Sequence, residues 1–182
     1  MTNLAMPKSG LTFRLYFTAL MLVGEVIVLM WEHFHGGIKY HHILHRADLP
    51  AISNAWGIVV VPILAWLAST QVLKRQALND MKIPKSAIVG FTAALTLGGL
   101  LAFGFSQGYE GFTGHLFQGM LLLALLLPAY RAETLLGFVL GMNVVFGAVL
   151  PTAIAGILAA LSAIVHLLLW PMLVRGWRWL RG

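Results

Sequence analysis

The sequence predicts an all-α, polytopic membrane protein with six transmembrane helices and both termini cytoplasmic. Three observations carry this expectation. Of the 182 residues 59% are apolar, and the 19 glycines bring the nonpolar share to roughly 70%, against about 45–50% for a soluble domain on the same count. Only 10% of residues are charged, where about 25% is usual, and the mean hydropathy is +0.85. Apolar runs also recur at the length of a membrane crossing. A soluble globular domain is excluded, and so is a disordered chain, whose apolar content is far lower.

The first run, 11–34, begins with some 20 apolar residues, the length of a span rather than of a short cleavable leader. The second, 51–73, follows Asp48 and Pro50, which read as the cap and first turn of a helix. Then come 86–106 and 114–130. Residues 133–174 form one nearly unbroken apolar stretch. As a single helix it would be about 63 Å long, twice the hydrocarbon core. A break at Pro151-Thr152 divides it into spans 133–151 and 152–174, because proline lacks the N–H and clashes with the preceding turn. Helices are required because backbone polar groups in lipid must be satisfied within the segment.

Charge placement fixes the orientation. With the N-terminus inside, the inner segments hold Lys8, Arg14, Lys74, Arg75, Lys82, Lys85, Arg131, Arg175, Arg178 and Arg181. The outer segments hold only Lys39 and Arg46, the positive-inside pattern. A single span over 133–174 would throw the last three arginines outward. Trp177 and Trp179 then sit at the inner interface, where indole is favoured. The whole chain, 1–182, reads as one transmembrane domain, with 74–85 as its sizeable inner loop and Asn79-Asp80 and Pro84 as turn material. A bacterial inner membrane is the simplest host. The small residues of Leu97-Gly98-Gly99, Gly137-x-x-x-Gly141 and Ala155-Gly156 let helices approach closely. Packing within the chain is the expected use of Gly137 and Gly141, with a dimer face as the alternative.

The net charge of +6 belongs to these cationic flanks, and no nucleic-acid partner is expected. The absence of cysteine excludes disulfides, thiolate metal sites, iron–sulfur clusters and a cysteine nucleophile.

The segment 31–57 holds His33, His35, His41, His42 and His45, with Glu32 and Asp48; His115 and Glu110 lie in the other outer segments. Six of the seven histidines thus share one side. Imidazole and carboxylate are ligands for zinc, iron and similar divalent metals. If 41–46 forms a helical turn, His41 and His42 share a face with His45, and Gly36-Gly37 lets the chain fold this group back on Glu32 and His35. His33, His35, His41, His42, His45 and His115 are therefore the candidate metal ligands. Asp48 is explained as a cap. Solvated histidines near headgroups and a pH-responsive cluster are the competing readings. His41-His42-x-x-His45 resembles the histidine boxes of membrane desaturases and hydroxylases, which bind two irons; the resemblance covers five residues, and the chain has no second box. Bis-histidine haem, with His33 or His35 facing His115, is a minor reading.

Glu25 lies inside the first span, where a charged group costs about 3 kcal/mol or more. Seven residues separate it from Glu32, so both occupy one helix face, a path inward from the outer cluster. Asn143, Gln118 and His166 are expected to serve interhelical hydrogen bonding. The expected function is binding of a divalent metal at the outward face, with metal-ion or proton-coupled transport as the leading use. A metal-dependent membrane enzyme, acting on a lipid or apolar substrate with Glu25 or Glu32 as general base, is the second class. A non-catalytic membrane subunit is the third. Membrane lipid is the expected surrounding, and a second copy or a membrane subunit the expected protein partner.

Overall fold

The computed structural model describes residues 8–42, 48, 50–77 and 82–181. His45, Arg46 and the Asn79-Asp80 turn lie outside the described residues, as do the side chains of Arg178, Trp179 and Arg181. The chain is mostly helical. Helix α1 (Lys8–Phe34) leads to a small hairpin of β1 (Tyr40–His42) and β2 (Ala51–Ser53) and a 3-10 turn (Asn54–Trp56). There follow α2 (Gly57–Ala77), α3 (Lys85–Ser106), α4 (Glu110–Leu126), α5 (Ala132–Phe146), α6 (Val149–Ala163), a π-helical stretch (Ile164–Leu169) and α7 (Trp170–Arg181).

Four helical stretches are long and apolar enough to cross a membrane: Gly10–Phe34, Asn54–Ala77, Lys85–Ser106 and Val149–Arg175. At 17 and 15 residues, α4 and α5 are shorter, about 25 and 22 Å of axis. Large apolar side chains point outward along the long helices, among them Leu20, Ile27, Ile63 and Ile157.

Helix α5 is the centre of the bundle. It packs most extensively on α3, then on α2 and α6. Its Leu136, Phe138, Val139 and Met142 are buried with Val61 and Ala65 of α2 and Leu101 of α3. The expectation of internal packing for the glycines holds. A Cβ at Gly137 would lie 2.3 Å from the Phe91 carbonyl oxygen, at Gly141 2.4 Å from that of Leu95, and at Gly98 2.5 Å from that of Phe138. Backbone meets backbone along the α3–α5 seam, which a side chain at any of these positions would wedge apart.

Three boundaries depart from expectation. The break in the long apolar stretch falls at Gly147-Ala148, before Pro151. Gly147 has φ +66°, a left-handed conformation natural to glycine, and its N–H donates to the Asn143 carbonyl at 2.8 Å. Pro151 sits in the first turn of α6, where the missing N–H costs nothing. Secondly, Asp48 and Pro50 do not start a helix. Ser53 caps the 3-10 turn instead, its Oγ accepting from the Ala55 N–H at 3.2 Å, and α2 begins at Gly57. Thirdly, the last rod continues past 174 and widens into π geometry at 164–169. Pro171 follows, and a proline ring clashes with the carbonyl four residues back, here Leu167. A π-bulge relieves that clash.

Contacts at the helix ends show that α2 runs antiparallel to both α1 and α5. The end of α1 meets the start of α2 and the end of α5 through Glu32, Asn54 and Gly147. At the opposite end, Arg75 and Gln71 of α2 meet Glu133 and Ala132 of α5.

Candidate functional site

A polar stripe runs along the inward face of α1. Arg14, Thr18, Glu25 and Glu32 are spaced four, seven and seven residues apart, which returns each to the same side of a 3.6-residue helix. Toward the N-terminal end of α1 the Arg14 guanidinium lies 3.7 Å from the centre of the Trp66 ring of α2, a cation–π contact. Arg14 Nε and Thr18 Oγ1 are buried, with no hydrogen-bond partner among the described residues.

Glu25 and Glu32 are 3% and 5% exposed, so the shared face expected of them is the one turned into the bundle. Each meets a carboxamide. Asn143 Nδ2 of α5 donates to Glu25 Oε2 at 2.5 Å. Asn54 Nδ2, in the turn before α2, donates to Glu32 Oε1 at 2.7 Å. Glu32 Oε2 also accepts from the Lys39 N–H at 3.3 Å, and the Asn54 N–H donates to the Lys39 carbonyl at 3.0 Å. The loop is thereby tied to the end of α1. Asn143 Oδ1 is buried with no hydrogen-bond partner among the described residues.

Two glycines make room for these groups. A Cβ on Gly57 would fall 1.8 Å from Glu25 Oε1, and one on Gly147 2.2 Å from Asn54 Oδ1. The Glu25 side chain is flexible and would yield. Gly57→Ala is therefore expected to fold while displacing Glu25 from Asn143. The carboxyl stretching band of Glu25 in infrared difference spectra, assigned by its loss in Glu25→Gln, is expected to shift. An unchanged band would show that the pair tolerates a methyl group there.

A third buried carboxylate lies at the end of the bundle opposite the hairpin. Glu133, in the first turn of α5 and 3% exposed, pairs with Arg75 of α2. Gln71 Oε1 accepts from the Ala132 N–H at 3.1 Å, satisfying a donor at the open start of α5. Glu133 Oε2 and Arg75 Nη1 have no partner among the described residues. Between α1, α2 and α5 a line of polar groups thus extends from the β1–β2 hairpin to the start of α5.

The histidines are placed separately. His33 packs edge-on to Phe34, and His35 stacks on Trp31 with ring centroids 3.7 Å apart. His35 Nδ1 is 2.8 Å from the Trp31 carbonyl. His41 and His42 stand in β1, so the helical turn expected over 41–46 does not include them. Successive strand residues point to opposite faces: His41 turns toward Phe146, with centroids 5.9 Å apart, and His42 is exposed. Gly36 and Gly37, at φ +119° and +96°, make the expected turn. His115, exposed on α4, has Nδ1 2.6 Å from the Gly111 carbonyl. Among the described residues no group of three His, Asp or Glu side chains is arranged to hold a metal ion. His115 stands on α4, whose principal neighbours are α3 and α6, whereas His33 stands at the end of α1, which packs on α2, and His35 in the turn just beyond it.

Of the three residues assigned to interhelical bonding, Asn143 takes that role with Glu25. His166 does so with α4, its Nε2 3.3 Å from the Leu126 carbonyl. Gln118 is exposed halfway along α4. Sequence reasoning missed Asn54, Thr18 and Glu133. The seven-residue spacing that joined Glu25 to Glu32 extends backward to Thr18, and Glu133 stands ten residues before Asn143 on one predicted span. Asn54 carries no such signal, since its role depends on the hairpin.

Comparison of the chain with protein-family models, curated proteins and solved structures found no match. The site is read from its own chemistry.

Proposed function

We propose that the chain is an integral protein of a bacterial inner membrane, crossing six times with both ends in the cytoplasm. It moves a cation, and proton exchange at Glu25 couples or constitutes the movement. The polar stripe of α1 supports this reading. From Arg14 to Glu32 it covers about 27 Å of helix axis, close to the ~30 Å of hydrocarbon, and it faces protein along its length. Ionisable groups in such positions are costly and mark ion or proton pathways. Glu32 and the outer hairpin form the entrance, Glu25 with Asn143 the embedded site, and Arg75 with Glu133 the inner end. In the metal branch of this reading, a histidine of the hairpin, His41 or His42, joins His45 in collecting a divalent ion, zinc or iron, at the entrance.

The test is flux into proteoliposomes. Under an imposed potential, proton uptake reported by an internal pH dye is expected to fall to the background of protein-free vesicles in Glu25→Gln. Glu25→Asp is expected to keep part of it. Full flux in Glu25→Gln would overturn the path. Elemental analysis of protein purified without chelator or metal resin reads the metal branch: one or two equivalents of zinc or iron, lost in a His41/His42/His45 triple alanine variant, are expected there.

A second reading, a non-catalytic membrane subunit, is favoured by the pairing of Glu25 and of Glu32 each with a carboxamide, which also locks helices together. It predicts no flux of protons, zinc or iron(II) in the wild type, and a co-purifying partner.

A further inference from the structure

A cavity of about 300 Å³ lies on the far side of α5 from the polar stripe. Its cause is the course of α4. At the outer end α4 presses on α3, where a Cβ on Gly104 would lie 2.7 Å from Thr113 and 2.8 Å from Phe112. At the inner end α4 is drawn to α6. Ser162 Oγ donates to the Leu127 carbonyl at 2.8 Å and accepts from the Ala129 N–H at 3.0 Å. Helices α3 and α4 therefore diverge, and the wedge between them is floored by α5 and α6.

Three properties of the wedge define an occupant. Its walls are almost wholly apolar. It is open toward the surroundings between α3 and α4, where Val89 and Leu123 are 64% and 41% exposed. Along α3 it runs from Ser86 to Leu97, about 16 Å of axis, which is half of the ~30 Å hydrocarbon thickness and thus one leaflet. The polar groups in its lining include Ser86, Arg131 and Thr134, and all three stand near the ends of their helices, on the side of the inner loops. The Arg131 guanidinium is half-exposed and has no hydrogen-bond or ion-pair partner among the described residues.

We propose that this wedge holds one acyl chain of an anionic phospholipid from the leaflet at the Arg131 end of the bundle, with the lipid phosphate on Arg131. The hydroxyls of Ser86 and Thr134 flank the phosphate, and the chain lies in the apolar wedge. Guanidinium and phosphate match in charge and in donor geometry, and the depth of the wedge matches one leaflet. The site is independent of the cation path and of the function assigned to Glu25.

Native mass spectrometry of the full chain released from mild detergent tests this, with added phosphatidylglycerol and phosphatidylcholine of identical acyl chains. The wild type is expected to retain one phosphatidylglycerol in preference to phosphatidylcholine. Arg131→Gln, a change at a half-exposed residue, is expected to weaken phosphatidylglycerol retention about tenfold or more, the value of a charged hydrogen bond, and to weaken retention of phosphatidylcholine, whose phosphate is already compensated by its own choline cation, by less. Ala93→Phe fills the wedge from its open side and is expected to remove retention of both lipids; Val89→Trp does the same from one turn away. Equal retention of the two lipids by the wild type would overturn the headgroup assignment. Unchanged phosphatidylglycerol retention in Arg131→Gln and in either filling variant would overturn the site.

Discussion

Gly141→Ala is expected to be among the most damaging single-methyl changes available in this protein. The added carbon would stand 2.4 Å from the Leu95 carbonyl oxygen and 2.7 Å from the Gly99 nitrogen. Both are backbone atoms of α3, so no side chain can swing aside. Helices α3 and α5 would have to separate by roughly 1 Å to restore ordinary contact, loosening their whole seam. Alanine gains up to about 1 kcal/mol over glycine in helix propensity, yet a net loss of about 3 kcal/mol is expected from overpacking against rigid neighbours. Gly156→Ala is the matched control: it is also helical and exposed, and nothing lies within 4 Å of its Cβ position. Thermal unfolding in one detergent is expected to show a large drop in midpoint for Gly141→Ala and no drop for Gly156→Ala. Equal midpoints would mean that the α3–α5 approach is not as close as described.

Arg75→Leu is expected to cost a similar amount through different physics. Glu133 is almost completely buried and Arg75 supplies its countercharge. Removing one partner of such a pair leaves a charge without compensation, at about 3–5 kcal/mol. Replacing both partners by apolar residues is far less harmful, because the desolvation cost disappears with the attraction. The decisive comparison is therefore Arg75→Leu against the double variant Arg75→Leu/Glu133→Leu, with the double expected to recover most of the lost stability. A double variant no more stable than the single would show that Arg75 acts through packing of its stem and not through charge.

The two variants probe parts of the molecule that were unequally readable from the sequence. Four of the long helices follow from apolar run length alone, and so does the inward face of α1, because a seven-residue spacing carries Glu25 and Glu32 to one side whatever surrounds them. The internal use of Gly137 and Gly141 was likewise legible from their spacing. The start of α2 was not. Asp48-Leu49-Pro50 is a persuasive helix start, and only the pairing of His41 with Ile52, a contact between distant positions, turns the approach into a strand. The same hairpin separates His41 from His42, which a local helical reading had set beside His45. Asn54 gains its role from that hairpin as well. Where a residue's partner lies in its own helix, periodicity reveals it; where the partner arrives through a loop, periodicity is silent. The break at Gly147 instead of Pro151 is a competition between two helix-ending residues. The glycine prevailed because a left-handed turn reverses the chain, whereas proline is at ease in a first turn.

The enclosure of α5 bears on how the protein is made. At 15 residues it is shorter than the ~20 needed to cross the hydrocarbon unaided, and it brings Glu133 and Asn143 with it. Its preferred surroundings are the walls supplied by α2, α3 and α6, not lipid. During synthesis α1, α2 and α3 leave the ribosome first, already carrying Arg75, Glu25 and the α3 side of the glycine seam. They are expected to form a receiving groove that α5 joins. The order of the helices along the gene is thus expected to be an order of assembly for α2, α3 and α5. A circular permutant that places α5 ahead of α2 and α3 keeps every native contact yet asks a short, charged helix to enter lipid alone, and it is expected to insert poorly.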